Sequence, residues 1–199
     1  MCHLFALVHF ASHTGGGVTN TNTDGEEGGD RLKRLIFIGP HCSGKTTRAR
    51  LTYQIMKATG LDVAFRREGV RLCPYPINEQ GGYKSQKWIL DFYWKRDVQY
   101  VSDAEFIVMD RCSLDTIPYT TYLYHHGKMS SNEYTELVDY AWRIYQRLSG
   151  ERVIFYNEPL PLVGDGVRSV NVHFRDFVTQ EFERLLTRIN DPIVRLGGD

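Results

Sequence analysis

The sequence predicts an α/β domain of the P-loop NTPase class, built around a phosphate-binding loop, and three observations predict it. The run Leu35-Ile36-Phe37-Ile38, entered from Lys33 and Arg34, is apolar, β-branched and aromatic, and reads as a short buried strand. It breaks at Gly39 and restarts as a helix after Gly44, so that Gly39-Pro40-His41-Cys42-Ser43-Gly44-Lys45-Thr46 spells Gly-x-x-x-x-Gly-Lys-Thr between strand and helix. Downstream, Phe106-Ile107-Val108-Met109-Asp110 is a second apolar run, and it ends in a carboxylate. A glycine-rich turn that matched by chance would lack these flanks.

The spacing of the loop has a physical cause. Gly39 and Gly44 permit backbone angles closed to other residues, so successive N–H groups can turn inward and wrap a polyphosphate. The helix that begins at Lys45 adds its positive N-terminal end. Gly39, His41, Cys42, Ser43, Gly44, Lys45, Thr46 and Thr47 are therefore the candidate nucleotide-binding residues. The Lys45 ammonium would neutralise the β- and γ-phosphates, and the Thr46 hydroxyl would ligate Mg²⁺. A strand lying beside the first would bring Asp110 to the same ion, which makes Thr46 and Asp110 the candidate metal ligands. Arg111 follows immediately and can reach a phosphate of donor or acceptor.

Composition bounds the rest. At 199 residues the chain is long enough for one α/β domain with a full core. Lysine plus arginine equal aspartate plus glutamate at 24 each, so there is no basic surplus of the kind that marks a nucleic-acid footprint. Cys2, Cys42, Cys73 and Cys112 are scattered and form no metal-like pair; reduced thiols in a cytoplasm fit them best. No apolar run approaches the roughly 20 residues that span a bilayer, so no membrane partner is expected. Residues 1–31 include a glycine-rich, polar, acidic stretch from Thr14 to Asp30 that cannot bury enough apolar area to offset its ordering entropy. They read as a disordered extension preceding a domain over 32–199.

In chain order, Thr46 to Thr59 carries Leu51, Ile55, Met56 and Ala58 at helical spacing and ends at Gly60. Leu61 to Phe65 is a second strand, with Arg66 and Arg67 at its end. Glu68 to Glu79 is a loop stiffened by Pro74 and Pro76. Ligands of open parallel sheets sit beyond the carboxyl ends of strands, which is where Glu68 and Arg71 fall. Each taken alone is equally an exposed ion-pair partner. Ser85 to Val101 repeats Trp88, Ile89, Phe92 and Tyr93 as an amphipathic helix. Asp115 reads as a cap for the helix Thr116 to His125. A further helix covers Asn132 to Leu148 behind a Ser130-Ser131 cap, and His125 and His126 read as surface residues. Arg152 to Tyr156 is a fourth strand. The loop Val163-Gly164-Asp165-Gly166-Val167-Arg168 precedes a helix from Val172 to Ile189 that carries Arg175, and Pro192 to Leu196 is the last strand. A glycine-flanked loop with an arginine after a fourth strand suits a lid whose Arg168 stabilises charge on a moving phosphoryl group.

These residues resemble a family of P-loop small-molecule kinases that includes the ribosylnicotinamide kinase domain of the bacterial NAD regulator and archaeal and viral ATP-binding relatives of the AAA type. At greater distance they are similar to thymidylate and deoxynucleoside kinases. The resemblance rests on Gly39-x-x-x-x-Gly44-Lys45-Thr46, Glu68-x-x-Arg71, Asp110-Arg111-x-x-x-Asp115 and Asp165-Gly166-x-Arg168, and covers about residues 33–196. It implies a parallel five-stranded sheet with helices on both faces and a lid, with ATP and Mg²⁺ as cofactors. Residues 71–79 depart furthest from the enzymes of known acceptor. A homodimer remains open.

The function that follows is transfer of the ATP γ-phosphoryl group to a nucleoside, nucleotide or related small molecule. Lys45, Asp110, Arg168 and Glu68 are the candidate catalytic residues, and Glu68, Arg71, Arg111 and Arg175 the candidate substrate contacts. If the acceptor is a hydroxyl, Glu68 is the base; if it is a phosphate, Arg71 and Arg111 clamp it. Arg66 and Arg67 weigh toward the second. The competing reading is a nucleotide-dependent switch or binding module without an acceptor. A guanine switch is disfavoured, because Asp110 is followed by Arg-Cys-Ser and the fourth strand ends Asn157-Glu158-Pro159.

Overall fold

The computed structural model describes residues 32–100, 102–161 and 171–197. Five strands, β1 (Lys33–Ile38), β2 (Val63–Arg66), β3 (Phe106–Asp110), β4 (Glu151–Asn157) and β5 (Ile193–Leu196), form one sheet in the order β2-β3-β1-β4-β5. Every neighbouring pair is parallel. Parallel neighbours need long crossovers, and the helices α1 (Lys45–Ala58), α2 (Tyr83–Tyr93), α3 (Thr116–His125), α4 (Ser131–Gln146) and α5 (Val172–Leu186) lie within those crossovers. The central strand β1 has β3 on one side, with Phe37 opposite Asp110, and β4 on the other. The glycine loop therefore leaves the carboxyl edge of the sheet beside Asp110.

Alternation along each strand sends successive side chains to opposite faces. Ile36, Ile38, Ile107, Met109, Ile154 and Tyr156 enter one core, shared with buried residues of α2, α3, α4 and α5. Phe37, Phe106, Val108 and Phe155 enter the other, where Ala49 and Met56 of α1 cover them. Helices lie on both faces as expected, but among the described residues they divide four against one.

Two elements differ from the sequence expectation. The helix expected over 85–101 starts at Tyr83, and after Tyr93 it rewinds as a π-helix over Trp94–Gln99. The wider winding leaves Asp97 buried, and the Arg96 side chain is nearly so. The loop expected over 68–79 contains two 3₁₀ turns, Val70–Leu72 and Asn78–Gln80. The start of α4 is as expected: the Glu133 N–H donates to Ser130 Oγ, and the Glu133 carboxylate accepts from the Ser130 N–H at 2.7 Å.

Candidate active site

The loop between β1 and α1 holds itself in a ligand-ready shape. Gly39 has φ of 141°, and a Cβ there would lie 2.4 Å from the carbonyl oxygen of Asn157, so only glycine fits between β1 and β4. Gly44 and Cys42 both take left-handed angles, at 75° and 56°. Ser43 Oγ donates to the Pro40 carbonyl at 2.8 Å. The Lys45 ammonium donates to that same carbonyl and, at 3.1 Å, to Ser43 Oγ. Lys45 is only 4% exposed. Burial, reinforced by the Arg111 charge, pulls its pKa down, although Asp115, Glu68 and Asp110 oppose the shift.

The loop forms one wall of a cleft of about 890 Å³, and residues of the β2 exit, α2, β3 and α3 form the others. His41 to Thr47, Glu68, Arg71, Asp110 and Arg111 all line it. At the end of β3, Asp110 stands by Thr46, whose hydroxyl supports its ionised form. Burial nonetheless raises the Asp110 pKa, and its Oδ1 is buried without a hydrogen-bond partner among the described residues. An unmet carboxylate oxygen beside a hydroxyl, at the mouth of the glycine loop, is a donor set that fits Mg²⁺. That ion takes one or two protein oxygens and fills its shell with water and phosphate.

Opposite Lys45, the Arg111 guanidinium lies between two carboxylates: its Nε is 3.5 Å from Glu68 and its Nη1 is 3.4 Å from Asp115. Arg111 itself takes a left-handed φ of 70°, a conformation unusual for a non-glycine residue. Its charge holds the Glu68 carboxyl below the usual range. The reading of Asp115 as a cap for α3 is corrected. Its side chain accepts no bond from α3; it accepts the Cys112 N–H at 3.1 Å and is buried against Arg111. Burial drives its pKa upward against the pull of Arg111 and Lys45. Glu68 is likewise half-buried and not exposed: its carboxylate pairs with Arg111, and the Arg71 charge adds to the pull on it.

A second buried arginine, which sequence reasoning missed, fixes this arrangement. Arg96 donates to both oxygens of Asp97 at 2.5 and 2.7 Å, to the Arg67 carbonyl at 2.6 Å and to the Arg111 carbonyl at 2.9 Å. One guanidinium thus ties the exit of β2 to the exit of β3. Close by, a Cβ on Gly69 would meet the Phe92 ring at 2.2 Å, so the chain after Glu68 lies directly on α2. Arg96 and Asp97 were hidden because Lys95-Arg96-Asp97 has the composition of a solvated helix face. Gln86 in the cleft wall, with its Oε1 accepting from Thr120 at 3.3 Å, gave no sequence signal either.

The remaining candidates fall elsewhere. Arg66 donates to the Tyr100 carbonyl and stacks on that ring at 5.0 Å, whereas Arg67 lines the cleft. Arg175 donates to the Leu160 carbonyl at 2.7 Å and does not line the cleft. Asp165, Gly166 and Arg168 lie outside the described residues, as do residues 1–31.

Comparison with solved structures bears on the whole arrangement. Deoxyadenosine kinase from M. mycoides with bound dCTP matches with a TM-score of 0.57 at 17% identity, over 82% of this chain and 89% of that one. The same enzyme with bound dATP gives 0.59 at 17% identity, over 82% and 89%. NadR in complex with NR gives 0.60 at 16% identity, over 83% of this chain and 45% of that one. The chain has the P-loop nucleoside-kinase fold. No family model matches the sequence, and no curated protein matches it. Within this nucleoside-kinase fold the glycine loop, Asp110 and the Glu68–Arg111 pair all stand at the carboxyl edge of the sheet, around one cleft. Among the described residues Cys42, Cys73 and Cys112 form no disulfide, and no helix is long and apolar enough to cross a membrane.

Proposed function

We propose that the chain is an ATP-dependent kinase acting on a hydroxyl of a nucleoside-like small molecule. The observation that carries this reading is the convergence, in one cleft, of Lys45, Thr46 and an unmet Asp110 oxygen with the Glu68 carboxylate held by Arg111. The amides of residues 42–47 and the N-terminal end of α1 take the triphosphate, and Lys45 turns from the Pro40 carbonyl to its outer phosphates. Thr46 and Asp110 hold Mg²⁺, which when bound neutralises phosphate charge. Glu68, kept ionised by Arg111, accepts the hydrogen bond of the acceptor hydroxyl and aims its oxygen. As the new O–P bond forms and the bond to ADP breaks, the hydroxyl proton passes to Glu68 and on to water. A loose phosphoryl-transfer transition state asks little basicity of that carboxylate, which suits its lowered pKa. Arg168, with Arg111 in the cleft wall, is the charge stabiliser of this reading, and Arg175, which donates to the Leu160 carbonyl and does not line the cleft, drops out of that role. The turning of Arg66 toward Tyr100 removes one of the two arginines that favoured a phosphate acceptor.

Coupled ADP release, measured with ATP and Mg²⁺ across nucleosides, nucleoside monophosphates and nicotinamide riboside, tests the reading. Strong stimulation by a nucleoside, lost in Glu68→Gln, is the expected result. Hydrolysis indifferent to every acceptor would overturn it in favour of a switch or binding module.

A further inference from the structure

Two polar groups in the cleft wall have no task in phosphate binding. His41 is 5% exposed, and neither of its ring nitrogens has a hydrogen-bond partner among the described residues. Its imidazole is stacked on Phe174 of α5, with centroids 5.3 Å apart and planes at 22°, and stands 6.3 Å from Tyr119 of α3. Tyr93, at the end of α2, is wholly buried, and its hydroxyl is also unpartnered among the described residues. Both residues line the cleft.

Leaving a buried polar atom unmet costs roughly 1–3 kcal/mol, so native proteins keep few of them without a use. Neither group suits an anion. Burial first, and then the charges of Lys45, Arg111 and Arg175, press the His41 pKa down to about 4, so at neutral pH the ring carries no charge. The Tyr93 hydroxyl stays protonated for the same primary reason, burial. The ring neighbours of His41 come from α3 and α5, which cover the larger core, and not from α1, whose N-terminus takes the triphosphate in the kinase reading.

We propose that His41 and Tyr93 bind the uncharged part of the acceptor, the sugar or base of a nucleoside, so that the phosphate loop itself takes part in acceptor selection. This rests on the kinase reading above. His41 then belongs to the acceptor side and not to the nucleotide side.

His41→Phe and Tyr93→Phe remove the heteroatoms and keep the rings. The expected result for each is an acceptor KM raised by about tenfold or more, the loss of one good hydrogen bond, with the KM for ATP held within about twofold. Thermal unfolding of either variant should occur at the wild-type temperature or above it, since an unmet polar group is gone. A raised KM for ATP with an unchanged acceptor KM, in both variants, would overturn the proposal and leave the kinase reading standing. If the wild type phosphorylates nothing, the same variants are compared for thermal stabilisation by free nucleosides without ATP. Stabilisation of the wild type that both variants lose would support the proposal on its own, whereas no stabilisation of the wild type would overturn it as well.

Discussion

At Lys45 the proposed ligand chemistry separates from fold stability at a single side chain. Its ammonium is buried and, among the described residues, donates only within its own loop, so truncation removes a desolvated charge and no core packing. Lys45→Ala should abolish phosphoryl transfer while the melting temperature stays level or rises; wild-type turnover in a coupled assay would contradict the assigned role. His41 makes a pH-dependent prediction. An unfolded histidine takes its proton near pH 6.5, but the folded one waits until about pH 4. Between those values the unfolded chain binds more protons, so stability falls as pH falls, by roughly 3 kcal/mol in total. His41→Phe should flatten the urea-unfolding profile between pH 6.5 and 4. At this scale the motif residues were legible because their geometry is local. Asp115 was misread because an acidic residue before a helix already has a local explanation, whereas its burial against Arg111 depends on how the β3 exit packs against α2 and α4.

At the scale of elements, the π-helix after α2 matters most. It brings Arg96 under the ends of β2 and β3, where the guanidinium serves the Arg67 and Arg111 carbonyls together with Asp97. A lysine carries the same charge but not the planar fork, so Arg96→Lys must leave buried acceptors unmet. The expected loss is roughly 1–3 kcal/mol of stability in urea unfolding, accompanied by a higher acceptor KM as Glu68 loses its register with Arg111. Unchanged acceptor KM in the folded variant would show that the brace serves stability alone. Periodicity located α2 and the strands well, because apolar spacing follows burial. The π winding left no such trace, since the bonds Arg96 makes beneath it are to carbonyls distant in sequence.

For the molecule as a whole, the larger core joins four helices to one face of the sheet, and α5 completes it with Phe174, Val178 and Phe182, all fully buried. Phe182→Ala should cost about 3–5 kcal/mol and lower the midpoint of one cooperative unfolding transition; a separate early transition for α5 would show that the helix is not integral to the domain. The α/β class was legible from a buried strand, a glycine loop and a carboxylate strand. The four-to-one division of helices was not, because a helix's apolar stripe says how much it buries and not which face receives it.

The position of β1 carries one more consequence. It is the first strand of the described chain and the central one, with Lys33 opposite Phe106 on one side and Glu151 on the other. During synthesis on the ribosome this apolar strand therefore emerges long before either partner exists, and its final neighbour appears only when β4 has been made. Native pairing in this sheet is non-local throughout, a topology that folds slowly and leaves unpaired edges exposed in the meantime. Nascent chains cut short of β4 should accordingly depend on chaperones, and the phosphate loop acquires its shape late, once Asn157 closes over Gly39.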